Sequence, residues 1–163
     1  MDLSKISKKD SAKSKMIFHE NTDILHYGSL NNHCYFIPFA PDQDPFLPRK
    51  ESKRFELLNG EWDFSFYNSI VDLEDDFTNI RLKTKITVPG NWQLCGDYDK
   101  PQYTNIAYPI PFEPPYVPDD IPLGLYKREY NYKKDGLQRI LTFEGVDSCF
   151  NLYINGNFAG YSQ

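Results

Sequence analysis

The positions of the prolines limit the fold of this 163-residue chain more than any other feature. Seven of the twelve prolines lie between Pro101 and Pro122, and four more lie between Pro38 and Pro48. Proline has no amide hydrogen and clashes with the preceding helical turn, so neither stretch can form a helix or a central strand. We therefore expect a long irregular loop over 101–122, and loops of this length are usually functional.

Outside these stretches, apolar and polar residues alternate as they do in β-strands. Trp62, Phe64 and Phe66 share one face of a predicted half-buried strand over 61–67. Further strands are predicted over 85–88, 125–132, 139–144, 149–155 and 157–161. Asn155-Gly156 predicts a hairpin, because both central residues of a type I′ turn need a positive φ. With no long amphipathic helix, the pattern predicts an all-β antiparallel sandwich.

Composition and charge exclude several classes of protein. Aromatic residues make up 16% of the chain and can close a core, while a net charge of −5 argues against nucleic-acid binding. No apolar stretch approaches the roughly 20 residues that span a membrane. The Lys- and Ser-rich first sixteen residues lack the apolar run of a signal peptide. We expect a cytoplasmic protein with reduced thiols at Cys34, Cys95 and Cys149.

The chain divides into two predicted regions. Residues 1–50 form a flexible or extended N-terminal arm, because the lysines of the first fifteen residues repel one another and prolines follow. Residues 51–163 form the β-sandwich domain. Five or six strands are few for two sheets, and the sequence stops directly after a hairpin strand. We therefore expect an incomplete domain of a longer chain.

The residues alone establish no catalytic site. The only histidines lie in the predicted arm, and His33 and Cys34 are neighbours whose side chains point apart on an extended chain. Aspartate pairs at 97 and 99 and at 119–120 could serve glycoside hydrolysis, but such aspartates are more typical of turns. The acidic stretch over 72–76 lacks the spacing of a calcium loop and predicts a solvated loop.

A series of motifs in fixed order carries a specific resemblance. They include Leu-Leu-Asn-Gly-Glu-Trp at 57–62, Pro-Gly-Asn-Trp-Gln at 89–93, Pro-Gln-Tyr-Thr-Asn at 101–105, Pro-Pro-Tyr-Val-Pro at 114–118, Phe-Glu-Gly-Val-Asp-Ser at 143–148 and Gly-Tyr-Ser-Gln at 160–163. Over about residues 18–163 the chain closely resembles the N-terminal domain of the bacterial β-galactosidases of glycoside hydrolase family 2.

This resemblance implies a retaining glycosidase that removes terminal non-reducing β-D-galactose, as from lactose. It places both catalytic glutamates, and the ligands of an active-site magnesium and sodium, in a TIM barrel outside this sequence. The domain itself would be a jelly-roll, galactose-binding-like sandwich that packs on the barrel and completes the galactose subsite. The resemblance also implies a homo-oligomeric enzyme. We expect no catalytic residue, cofactor or metal site within the chain, and no activity from it alone.

Asn105 is the one residue to which the resemblance gives a substrate-binding role, since it falls on the family's galactose-contacting asparagine. An amide side chain both donates and accepts hydrogen bonds, as sugar hydroxyls require. The surrounding prolines would hold it in place at little entropic cost. Trp92 could stack on a sugar, but core packing is the preferred interpretation.

Three alternatives remain open. The chain could be a stand-alone carbohydrate-binding sandwich with no catalytic partner. It could belong to a β-glucuronidase or β-mannosidase, since these share the sandwich, although Tyr103-Thr104-Asn105 favours galactose. It could also supply its arm in trans to a chain that lacks one.

Overall fold

Short antiparallel strands form two three-stranded sheets in the computed structural model, which describes residues 18–103, 105, 108 and 110–163. The strands are β1 (His26–Tyr27), β2 (Gly60–Tyr67), β3 (Thr84–Val88), β4 (Leu123–Lys127), β5 (Phe150–Ile154) and β6 (Asn157–Ser162). One sheet has the order β1-β6-β5 and the other β3-β2-β4. The predicted all-β, antiparallel class is confirmed.

Helical structure in the described residues is limited to single 3₁₀ turns. Three of these connect strands or precede them, at Arg49–Glu51, Ile70–Asp72 and Trp92–Leu94. None of the helices in the described ranges has the length and apolar character to cross a membrane. The prediction that no long amphipathic helix forms is therefore confirmed for this part of the chain.

Aromatic rings cover one face of the β3-β2-β4 sheet. Phe64 on the central strand is fully buried, and its ring centroid lies 5.1 Å from that of Tyr98 and 4.8 Å from that of Tyr126. Trp92, in the 3₁₀ turn over 92–94, packs on the same group, with its ring centroid 5.7 Å from that of Phe66. We call these five residues the Phe64 cluster. The core-packing interpretation of Trp92 is confirmed.

The opposite face of the same sheet is also covered at one end. Tyr67, Leu73 and Phe77 are buried together and form what we call the Tyr67 core. Tyr153 of the other sheet packs on it, with its ring perpendicular to that of Phe77 at 5.1 Å. The two sheets therefore share a core, as in a sandwich.

The prediction of a half-buried β2 strand is correct at its start and wrong at its end. The side chains of Ser65 and Tyr67 lie on the predicted polar face but are only 3% and 8% exposed. The segment that follows β2 folds back over them, and the Tyr67 hydroxyl donates to Glu74 Oε2 at 2.7 Å. This hydrogen bond lowers the pKa of Glu74. It also connects the acidic stretch over 72–76 to β2.

The β5–β6 hairpin has the predicted turn. Asn155 and Gly156 both have positive φ, of 50° and 77°, as a type I′ turn requires. The strand predicted over 125–132 is instead Leu123–Lys127, two residues earlier at its start and shorter at its end.

The strand predicted over 139–144 does not form among the described residues. A strand exists only where a neighbouring backbone pairs with it, and no described segment pairs with this one. Its first residue is held locally instead. The Arg139 guanidinium donates to both carboxylate oxygens of Asp135 at 2.9 Å and lies over the Tyr132 ring.

The described part of the predicted arm, from residue 18, supplies β1 to the β1-β6-β5 sheet and packs on that sheet. β1 pairs with β6, with Tyr27 opposite Tyr161, and the buried Phe18 ring stacks on Tyr161 at 5.3 Å. Farther along, Arg49 and Tyr35 both donate to Glu144 Oε1, at 2.6 and 3.0 Å. Residues 1–15, predicted to be mobile, lie outside the described residues, and the division at residue 50 stays a prediction.

Candidate functional site

The proline-rich loop is attached to the domain at its start. Tyr98 precedes it and belongs to the Phe64 cluster, with its ring edge-on to that of Phe64. The Tyr98 and Thr84 hydroxyls share a hydrogen bond of 3.1 Å, and Thr84 Oγ1 also donates to the Phe64 carbonyl at 3.1 Å. The chain therefore enters the loop from a fixed point on β3.

The end of the loop is attached at a different place. The Ile70 amide donates to the Ile121 carbonyl at 3.1 Å, and Ser69 Oγ donates to the Asp119 carbonyl at 2.5 Å. Residues 69 and 70 precede the segment that covers the Tyr67 core. The loop thus runs between two anchored points, and prolines stiffen the stretch between them.

The stretch between these anchors carries exposed aromatic side chains and two exposed amides, at Gln102 and Asn105. Four aromatic residues are 64–96% exposed: Tyr103, Tyr108, Phe112 and Tyr116. Asn105 is also exposed. Thr104, Ile106, Ala107 and Pro109 lie outside the described residues.

Asn105 makes one hydrogen bond to a described residue. Its Nδ2 donates to the Tyr103 hydroxyl oxygen at 3.3 Å. The second N–H and Oδ1 have no partner among the described residues, so one donor and one acceptor are available to a ligand. Asn105 was predicted from the family resemblance and Tyr103 was not, although a spacing of two residues can bring side chains to the same side of an extended chain.

The other candidate groups have local roles or stand in solvent. Asp99 Oδ1 accepts from the Lys100 amide at 2.7 Å, as a turn-forming aspartate does, and Asp119 and Asp120 are exposed. The carboxyl groups of Asp119 and Asp120 stand in water, whereas the acid of a glycosidase needs a site from which water is excluded. Two of the histidines have partners within the fold: His26 Nδ1 lies 3.0 Å from Ser162 Oγ on β6, and His33 Nδ1 lies 3.1 Å from the Asn31 carbonyl.

No arrangement of ligands for a metal occurs in the described ranges. No three His, Cys, Asp or Glu side chains gather there in a group that could hold an ion. The three cysteines are free and exposed, as expected for unpaired thiols. The resemblance places the ligands of the magnesium and the sodium in a barrel outside this sequence, and the described residues offer no such group of their own.

Comparisons with known proteins support the family that the sequence motifs indicate. Residues 55–163 match the family described as "Glycosyl hydrolases family 2, sugar binding domain". Similar proteins include the β-galactosidases of Actinobacillus pleuropneumoniae (44% identical over 90% of this chain), Staphylococcus xylosus (41% over 91%) and Yersinia enterocolitica (37% over 93%). The chain spans 14–15% of the length of these relatives. By this match, the chain belongs to glycoside hydrolase family 2 and carries its sugar-binding domain.

Proposed function

We propose that this chain is the N-terminal part of a β-galactosidase that hydrolyses terminal non-reducing β-D-galactose with retention. In this proposal the segment completes the galactose subsite and supports assembly, and the catalytic glutamates lie elsewhere in a longer protein. The observation that carries the proposal is the family match over 55–163, together with relatives that are β-galactosidases.

The loop geometry supports Asn105 as the residue that contacts the sugar. Its amide stands in solvent between two anchored loop ends, with a donor and an acceptor unused among the described residues. A galactose hydroxyl pair needs both kinds of partner, and a neutral amide meets both at any physiological pH. Anchored loop ends reduce the entropy that binding would otherwise cost.

The remaining parts of the site are proposed to come from the rest of the enzyme. Its TIM-barrel domain would supply the acid/base and the nucleophile, and also the sites for magnesium and sodium. The exposed aromatic residues of the loop are suited to packing against another part of the complete enzyme. We also propose that this enzyme is a cytoplasmic homo-oligomer and that the sandwich has jelly-roll topology.

Replacement of Asn105 tests the proposed role. Because the chain spans a small part of its relatives, we suggest a chimera in which residues 18–163 replace the matching segment of the Actinobacillus enzyme. Asn105→Ala is expected to lower kcat/KM for o-nitrophenyl β-galactoside about tenfold or more, since two sugar hydrogen bonds would be lost.

Gln102→Ala is the matched control, because it removes another exposed amide from the same loop. The control is expected to leave kcat/KM unchanged. Thermal unfolding of all three proteins would be measured in parallel to verify that each is folded. Equal kcat/KM values for the parent chimera and a folded Asn105→Ala variant would remove Asn105 from the site.

A further inference from the structure

We infer that Tyr103 is a positioning residue for Asn105, acting through the hydrogen bond between its hydroxyl and the Asn105 amide. The inference rests on the proposed sugar-binding role of Asn105 and adds the residue that prepares it. Tyr103 has no such role in the sequence analysis. It is assigned here because Asn105 Nδ2 donates to the Tyr103 hydroxyl oxygen at 3.3 Å.

Asn105 needs a positioning residue because its side chain is exposed. Asn105 stands in solvent, and an exposed asparagine side chain rotates among several conformers in nanoseconds or less. Only a fraction of these conformers would direct both polar ends of the amide at one sugar. A hydrogen bond to the hydroxyl of the neighbouring Tyr103 reduces the number of conformers before the sugar arrives.

The geometry also defines which atoms are left for the sugar. With Nδ2 donating to Tyr103, the Asn105 Oδ1 and its second N–H have no protein partner among the described residues. The Tyr103 hydroxyl uses an acceptor lone pair in this bond and keeps its proton. Tyr103 can therefore orient the amide without consuming the groups that a galactose hydroxyl pair would use.

The chain contains a matched control in Tyr108. Tyr108 lies in the same loop and is 69% exposed, against 70% for Tyr103. Its hydroxyl has no hydrogen bond to another described residue. A change from tyrosine to phenylalanine removes one hydroxyl in either case, so a difference between the two variants reports on the Tyr103–Asn105 bond.

The test is a double-mutant cycle in the chimera described above. Tyr103→Phe is expected to lower kcat/KM for the galactoside about 2–10-fold, the value of one neutral hydrogen bond. In the Asn105→Ala background the same change is expected to have no further effect, because Tyr103 acts through Asn105. Tyr108→Phe is expected to match the parent chimera, and none of the changes should alter the thermal unfolding temperature.

The outcomes separate this inference from the proposed function. If Asn105→Ala has no effect, the proposed function fails. If Asn105→Ala lowers kcat/KM but Tyr103→Phe does not, only the inference is overturned. A Tyr103→Phe effect that persists in full without Asn105 would also overturn it, since Tyr103 would then act independently.

A second measurement needs no turnover. In the ¹⁵N spectrum of the chain, Asn105→Ala identifies the Asn105 side-chain amide signals. We expect Tyr103→Phe to shift these two signals and Tyr108→Phe to leave them in place. Signals that remain unchanged in the Tyr103→Phe protein would show that the hydrogen bond is absent and would overturn the inference.

Discussion

Trp92 packs directly over Gly124, where the absence of a side chain is required. A Cβ atom at residue 124 would lie 2.6 Å from Trp92 Cζ3 and 3.0 Å from Phe64 Cε2. These are ring atoms of the Phe64 cluster and have no flexible end that could move aside. Gly124→Ala is therefore expected to lower the free energy of unfolding by about 1–3 kcal/mol, as overpacking does. Urea denaturation followed by tryptophan fluorescence measures this change.

Gly145→Ala is the control for this substitution. No heavy atom lies within 4 Å of the Cβ position at residue 145, so added volume meets open space. The control protein is expected to unfold within about 0.5 kcal/mol of the parent, the usual range for a surface substitution. A Gly124→Ala protein as stable as the Gly145→Ala protein would contradict the packing described for Trp92.

Tyrosines that are buried or partly buried affect how stability responds to alkaline pH, and Tyr67 and Tyr153 are two of them. Burial raises the pKa of Tyr67 from 10.0 to about 12, with a further contribution from Glu74, and burial raises the pKa of Tyr153 to about 12. The folded state thus favours the neutral phenols, while the unfolded chain ionises from about pH 10. The contribution of these two groups to the free energy of unfolding is therefore expected to be constant below about pH 10 and to fall as the pH rises towards 12.

The Tyr67 part of this pH dependence can be measured separately. Tyr67→Phe removes one of the ionising groups and is expected to make stability fall less steeply between pH 10 and 12 than in the parent. Tyr116→Phe, at an exposed position, serves as the control and should keep the parent slope. Urea denaturation at several pH values provides the slopes. Identical slopes for the Tyr67→Phe and parent proteins would contradict the buried position of Tyr67.

Among the elements, those formed by local patterns could be predicted from the sequence and those that depend on distant partners could not. Strands β2 and β3 follow from alternation, and the β5–β6 hairpin follows from Asn155-Gly156. β1 has only two residues and exists because β6, more than 130 residues later, pairs with it. The segment over 139–144 alternates equally well but has no partner among the described residues.

Close approach of β1 to β6 depends on glycine. Gly28 directly follows β1 with a φ of +70°, and a Cβ atom there would lie 2.3 Å from the Ala159 carbonyl oxygen. Gly28→Ala is expected to separate β1 from β6, since backbone atoms cannot yield as a flexible side chain can. Amide hydrogen exchange would then become faster at Gln163, whose N–H donates to the Leu25 carbonyl at 3.1 Å.

Gly136→Ala is the control that distinguishes the strain of a positive φ from the clash of a side chain at residue 28 with Ala159. Gly136 has a similar φ of +76°, but nothing lies within 4 Å of its Cβ position. The control is expected to carry the strain of a positive φ, about 1 kcal/mol, without faster exchange at Gln163. Faster exchange at Gln163 in both variants, or in neither, would contradict a specific contact between Gly28 and β6.

For the molecule as a whole, the sequence predicted that a long loop forms but not which residues anchor its two ends. Proline content predicted an irregular stretch over 101–122, and the family resemblance identified Asn105 within it. The anchors at Tyr98 and Ser69 were not predictable, because their partners lie 14 and 50 residues away. The Tyr103–Asn105 hydrogen bond was not predicted, because only Asn105 of the motif at 101–105 was given a role in sugar binding.

This segment is proposed to complete the galactose site of a family 2 enzyme. The most direct test compares three proteins: the Actinobacillus β-galactosidase, the same enzyme without its matching segment, and the chimera that carries residues 18–163 of this chain. Each would be assayed with β-galactoside, β-glucuronide and β-mannoside. We predict that the shortened enzyme is inactive and that the chimera restores hydrolysis of the galactoside alone. A folded chimera with no galactosidase activity, or one that prefers another sugar, would contradict the claim.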